Sequence, residues 1–86
     1  MNMTREEVKK SFIELIRPAA KGFDLNSISD STSLVADLGI NSLRVVDIVL
    51  EVEDKFGIEI DSTSMDRFYT IGGAVDMILE KQSKAA

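Results

Sequence analysis

The sequence predicts an all-α domain: a small bundle of three main helices plus one short helix, with a long packed first loop. Three observations point there. Apolar residues recur at helical spacing in three segments, capping residues stand at the starts of those segments, and the strongest segment stops at a glycine. With 86 residues there is room for one core only, so a single domain over residues 1–86 is expected. A chain of this size buries roughly 60–65% of the surface its unfolded form exposes, and much of its function must therefore lie on the outside.

Thr4-Arg5-Glu6-Glu7 opens the first helix as a capping box, with Thr4 at N-cap and Glu7 at N3. Val8, Phe12, Leu15 and Ile16 follow on one stripe, and Ile13 widens it. Pro18 lacks an amide hydrogen and clashes with the preceding turn, so an end or a kink is expected near Arg17. The connection from Ala19 to Ile40 is punctuated by Gly22, Asn26, Ser27, Ser29, Asp30, Ser31 and Ser33. A loop that long in a small domain packs or functions. Phe23, Leu25, Ile28, Leu34, Val35 and Leu38 are expected to tuck under it, with some short helical turns.

The segment Ser42 to Phe56 is the strongest helix. Val45, Val49, Val52 and Phe56 fall on one stripe, with Leu43, Val46 and Leu50 beside it; Arg44, Asp47, Glu51, Asp54 and Lys55 take the other side. Its β-branched content also suits a strand, but the polar positions repeat near 3.6 residues and not near 2. Gly57, able to turn left-handed without penalty, closes it. After the short apolar connector Ile58-Glu59-Ile60, Asp61 or Ser62 caps a short helix through Phe68. Thr70 caps a last helix through about Lys81, with Ala74, Val75, Ile78 and Leu79 inward. Gly72 and Gly73 are poor helix formers, tolerable in a first turn, and they mark close packing there. Gln82 to Ala86 is expected to fray. The core candidates are Val8, Phe12, Ile16, Leu34, Val46, Val49, Val52, Phe56, Ile60, Val75 and Ile78.

Composition excludes much chemistry. Cys and His are both absent, which removes disulfides, thiolate and imidazole metal sites, cysteine nucleophiles and His-dependent triads. No calcium-loop pattern supports a carboxylate metal site. Without a signal-peptide pattern or a long apolar run, the cytoplasm is the expected compartment, with no membrane insertion. A net charge of −5 argues against a nucleic-acid partner and for a basic one. All of that charge lies between Asp37 and Asp61, where Asp37, Asp47, Glu51, Glu53, Asp54, Glu59 and Asp61 face only Arg44 and Lys55 in number. An acidic helix face is ordinarily just solvated, but a field of one sign also steers a complementary partner.

Ser42 stands at the start of the best helix, after Leu38-Gly39-Ile40-Asn41. Taken alone it reads as an N-cap serine. A catalytic serine is excluded, because no His is present to activate it and no pattern places a lysine base there. The third reading makes Ser42 a substrate of another enzyme, since a helix N-terminus suits an attached phosphate.

Asp37-Leu38-Gly39-Ile40-Asn41-Ser42-Leu43, then Val46-Asp47-Ile48-Val49, then Glu53-Asp54-Lys55-Phe56-Gly57-Ile58-Glu59-Ile60, resembles the acyl carrier protein family. The family pattern is Leu-Gly-x-Asp-Ser-Leu followed by an acidic-apolar helix ending in Glu-x-x-Phe. The helix order, the long first loop and Thr70-Ile71 also fit. The resemblance implies that Ser42 receives 4′-phosphopantetheine from coenzyme A by way of a separate magnesium-dependent phosphopantetheinyl transferase. The prosthetic thiol then carries an acyl thioester to biosynthetic enzymes, such as acyl-loading, acyl-transfer or condensing enzymes with basic docking surfaces. A working thiol would thus be borrowed by a chain that has none, and the chain itself would catalyse nothing. Asn41, Leu43, Arg44, Asp47, Glu51 and Asp54 are the expected partner-docking residues around it. Two residues depart from the pattern. Asn41 stands where an aspartate is usual, and Arg44 puts a positive charge where the acidic face normally begins; both read as signs of a specialised carrier with its own partners, with neutral drift as the alternative.

The expectation is a free-standing, monomeric acyl carrier for a fatty or otherwise specialised acyl chain. An aminoacyl or peptidyl carrier is the rival within the class, distinguished by the loading enzyme that accepts it. An acidic helical adaptor without a prosthetic group is the rival outside it, distinguished by a mass that never changes.

Overall fold

The computed structural model describes residues 3–20, 24 and 27–84. Gly22, Phe23, Leu25 and Asn26 of the first loop lie outside the described residues, as do Ala85 and Ala86. Three α-helices and one 3-10 helix form a bundle with the apolar core between them, and the described residues contain no strand.

Helix α1 runs Arg5–Ile16. The Glu7 amide donates to Thr4 Oγ1 at 3.2 Å and the Thr4 amide donates to Glu7 Oε1 at 2.8 Å, so the capping box forms in both directions. Val8, Phe12 and Ile16 are fully buried at helical spacing. The helix stops at Arg17, one residue before the proline that cannot continue it. Helix α2 runs Ser42–Phe56 and ends at Gly57, whose φ of 65° is left-handed.

The short helix over Ser62–Tyr69 is 3-10 in kind. Its threefold repeat puts Met65 and Phe68 in one row. Phe68 is fully buried, tilted against Phe12 with ring centroids 6.2 Å apart, and Met65 packs beside it on the core. Asp61 caps this helix through the Ser64 amide at 3.0 Å.

Helix α3 runs Ile71–Lys84, longer than the spacing suggested. Thr70 Oγ1 accepts from the Gly73 amide at 3.0 Å and caps its start. Residues 82–84, expected to fray, continue the helix. No Gly or Pro stops the helix there, Ser83 Oγ donates to the Glu80 carbonyl at 2.9 Å, and Gln82 Nε2 reaches Met3 Sδ at 3.8 Å. Ile71, Ala74, Val75, Met77 and Ile78 are all buried, so α3 is the central element, packed on α1 and on the 3-10 helix.

The first loop is zipped to the start of α3. Leu34 N–H bonds the Tyr69 carbonyl at 2.9 Å, Ile71 N–H bonds the Thr32 carbonyl at 3.0 Å, and Gly72 N–H bonds the Asp30 carbonyl at 2.9 Å. Backbone groups in a long connection need partners, and these supply them without a sheet. Leu34, Leu38 and Ile40 are buried beneath, with Ile28 and Val35 half-buried.

The two glycines make the close approach possible. A Cβ on Gly72 would stand 2.7 Å from the Asp30 Cβ, and one on Gly73 would stand 2.5 Å from the Arg67 carbonyl oxygen. Alanine in a helix is ordinarily better than glycine by about 0.8–1 kcal/mol. Here the overlap with backbone reverses the sign. Gly73→Ala should destabilise by about 1–3 kcal/mol, the usual cost of overpacking. Thermal unfolding of the variant checks this, and a raised melting temperature would contradict it.

An ion network holds the same junction from outside. Arg5 reaches Asp30 and Asp76 at 2.9 Å each, and Lys9 reaches Asp30 at 3.0 Å. Hydrogen bonds from Lys9 and then Arg5 hold the Asp30 carboxyl below its ordinary value. A depressed folded pKa stabilises above the unfolded carboxylate range, and that stabilisation is lost as pH falls through the folded value. Stability should therefore drop below about pH 4, the unfolded carboxylate range. Asp30→Asn should lower the melting temperature at neutral pH and shallow the acid slope. An unchanged slope in pH-dependent melting would show that Asp30 has no part in it.

Candidate functional site

The site is built on the first turns of α2. Asn41, not Ser42, is the N-cap: its backbone is extended, and its Oδ1 accepts from the Leu43 amide at 2.8 Å. The Asn41 carbonyl takes the amides of Arg44 and Val45 at 2.8 and 3.1 Å. Asn and Asp cap about equally well, so the neutral residue does the structural work of the usual aspartate. The expectation of Ser42 as cap is corrected for that reason. Ser42 is instead the first helical residue, exposed, and no hydrogen bond from the described residues engages its hydroxyl.

Released from capping, that hydroxyl stands on an exposed residue at the helix start. Burial of Ile40 just before it and Val45 just after it holds the turn against the core. Nothing in the described residues would deprotonate it, since there is no His and no carboxylate bonded to it. A phosphodiester placed on it would extend into solvent, so the residues present fit such a group. Among the described residues no cluster of carboxylates is arranged to hold a metal ion.

Around Ser42 the helix surface divides into three bands. Val45, Ile48, Val49 and Val52 are buried. Leu43, Val46 and Leu50, at steps of three and four, are exposed by 77%, 44% and 59%. Val46 thus leaves the core list, and Ile48 joins it; Phe56 and Ile60 are half-buried at the core edge. A wide apolar arc on α2 does not say which of its sides is covered, and here α1 and the 3-10 helix cover only one. These three large apolar residues form an uncovered row beside Ser42.

The third band is charged. Asp47, Glu51 and Asp54 are all exposed, and Glu51 and Asp54 have no ion-pair partner among the described residues. Arg44 pairs with Asp47 at 3.7 Å. Glu53, counted with the acids from sequence, turns inward instead and accepts from the Ile60 amide at 2.7 Å, tying α2 to the connector. The sequence therefore brought Asn41, Leu43, Arg44, Asp47, Glu51 and Asp54 to one end and one side of α2 beside Ser42, as the spacing requires. It missed the exposure of Val46 and Leu50, and the role of Asn41 as cap.

A family model described as a phosphopantetheine attachment site matches residues 12–78, a stretch that contains α2 whole. The acyl carrier protein of Sinorhizobium fredii (strain NBRC 101917 / NGR234) is 35% identical over 83 residues, covering 96% of this chain and 100% of that one. This chain belongs to the acyl carrier protein family. The acyl carrier protein of Tropheryma whipplei (strain Twist) is 34% identical over 92% of this chain and 95% of its own length. Among solved structures, the acyl carrier protein from Enterococcus faecalis superposes with a TM-score of 0.78 at 34% identity, covering 92% of this chain and 99% of that one. This acyl carrier protein has the helical bundle of its relatives and a phosphopantetheine attachment domain. Membership of the family carries with it interaction with synthase and transferase enzymes. No helix among the described residues is long and apolar enough to cross a membrane.

Proposed function

We propose that Ser42 is the attachment point of 4′-phosphopantetheine, and that the protein presents an acyl group to enzymes docking on the exposed side of α2 without catalysing a step itself. The observation that carries this reading is the Ser42 hydroxyl, exposed and unengaged at the first helical position within the matched attachment domain. In the loading reaction a new bond forms between Ser42 Oγ and the phosphorus of coenzyme A that bears the pantetheine. The bond from that phosphorus to the adenosine bisphosphate breaks, and the hydroxyl proton passes to a base supplied by the transferase. The attached group supplies a thiol on a long flexible arm, where an acyl chain is held as a thioester.

The chain's own contribution is positional. Asn41 fixes the turn, and Ile40 and Val45 anchor it. Leu43, Val46 and Leu50 offer apolar contact, and Glu51 and Asp54 offer negative charge to a basic partner surface. Incubation with coenzyme A, magnesium and a broad-specificity phosphopantetheinyl transferase should raise the intact mass by one phosphopantetheine per chain. An unchanged mass with several such transferases would leave the adaptor reading, in which α2 docks with no prosthetic group.

A further inference from the structure

The first turn of α2 carries no acid, although Asp and Glu are what the positive end of a helix dipole favours; α1 has Glu6 and Glu7 there, and its first-turn cation, Arg5, is held by Asp30 and Asp76 at 2.9 Å. In that turn α2 has Arg44, a cation at the end that disfavours cations. The contrast with Lys55 is direct. Lys55, the other base between Asp37 and Asp61, sits in the last turn, where the dipole welcomes it. Lys55 needs no explanation beyond the helix, whereas Arg44 works against it.

Internal pairing does not account for Arg44 either. It stands 3.7 Å from Asp47, while Arg5 and Arg67 reach their carboxylates at 2.8–2.9 Å. No hydrogen bond from the described residues occupies its guanidinium, so its donors remain open. A cation that opposes a local rule, held only by one long ion pair and with its hydrogen-bond donors open, stands two positions from Ser42 where a partner can use it.

We infer that Arg44 is a specificity-determining residue, selecting enzymes whose docking surface sets a carboxylate opposite the start of α2 and rejecting those with a cation there. This inference rests on the Ser42 reading above. Charge complementarity on α2 defines the rest of the partner. Arg44 partly neutralises Asp47, so the free acids begin at Glu51 and Asp54, farther from Ser42. The matching enzyme surface carries an acid close to the entrance that receives the arm, an apolar recess for Leu43 and Val46, and its bases about two turns away. A cation of the enzyme brought opposite Arg44 is a repulsive element, which discriminates as effectively as an attractive one.

The test uses fully loaded protein, with complete conversion confirmed by intact mass before any transfer is measured. Wild type, Arg44→Gln and Arg44→Asp are compared as acceptors for a fatty acyl–carrier ligase with a basic docking surface, supplied with octanoate and ATP. A second ligase has the cation nearest its active-site entrance replaced by glutamate. With the unaltered ligase, Arg44→Asp should raise kcat/KM about fivefold, equivalent to ~1 kcal/mol, with Arg44→Gln between. The gain should lie in KM, leave kcat unchanged and shrink in salt. With the altered ligase the order of the three acceptors should reverse. Equal kcat/KM for all three acceptors with both ligases, or a change confined to kcat, overturns the inference. Failure of the wild type to load at all is a different result and tells against Ser42 as the attachment point.

Discussion

Ser42→Ala should abolish phosphopantetheine loading and leave the fold as it is. The two halves of that result have separate causes. Alanine has no oxygen on which a phosphodiester can form, so the loss is complete and not a matter of degree. Stability is untouched because the cap belongs to Asn41, and Ser42 contributes no side-chain hydrogen bond with the described residues. An exposed substitution of this kind moves stability by at most about 0.5 kcal/mol. Asn41→Ala is the converse variant. It removes the cap, costs about 1 kcal/mol, and keeps the attachment oxygen. Intact mass and thermal melting of both variants, side by side, separate the two roles. Label on Ser33 or Ser62 in the Ser42→Ala protein would overturn the assignment. Ser33 is a poor rival on structural grounds, since it is half-buried with its Oγ accepting from the Ala36 amide at 2.9 Å.

Phe68→Ala should remove a large share of the stability of the domain. Phe68 is fully buried and is the only buried residue of the 3-10 helix, which it pins to α1 through Phe12. Truncating a buried Phe costs about 3–5 kcal/mol, and small domains have about 5–15 kcal/mol in all. At about 4–8 °C per kcal/mol for a domain of this size, the melting temperature should fall by more than about 10 °C. Tyr69→Ala is the matched control. Its side chain is 45% exposed, and the contact it makes to Leu34 is through the backbone carbonyl, which alanine keeps. A melting temperature for Phe68→Ala within a few degrees of wild type would mean that the 3-10 helix is held by something other than its aromatic anchor.

The bounds of α2 were legible because both of its ends carry strong local signals, Asn41-Ser42 at one and Gly57 at the other. Which of two adjacent good capping residues does the capping was not legible, because that depends on a single ψ angle. Nor was the covered side of the helix. Val45 and Val46 are the same residue type one position apart, yet one is buried and the other exposed, a choice made by the placement of neighbouring helices. At α3 the sequence offered no stop signal, and the helix ran on to Lys84. The backbone bonds from residues 30–34 to residues 69–72 left no trace in side-chain pattern at all, since amides and carbonyls are common to every residue. Only Gly72 and Gly73 hinted that something lay close there.

Those bonds also define a load path. Everything from Leu34 to Tyr69, including Ser42 and its helix, is one excursion of the chain whose two ends are bonded together. An enzyme that draws on an arm attached at Ser42 pulls within that excursion, and the tension divides between the chain and the core. The part carried along the chain converges where Leu34, Thr32 and Asp30 lie against Tyr69, Ile71 and Gly72. Helices α1 and α3 take a share across the core, since α1 packs on α2 and holds Phe68 through Phe12, and α3 packs on the 3-10 helix.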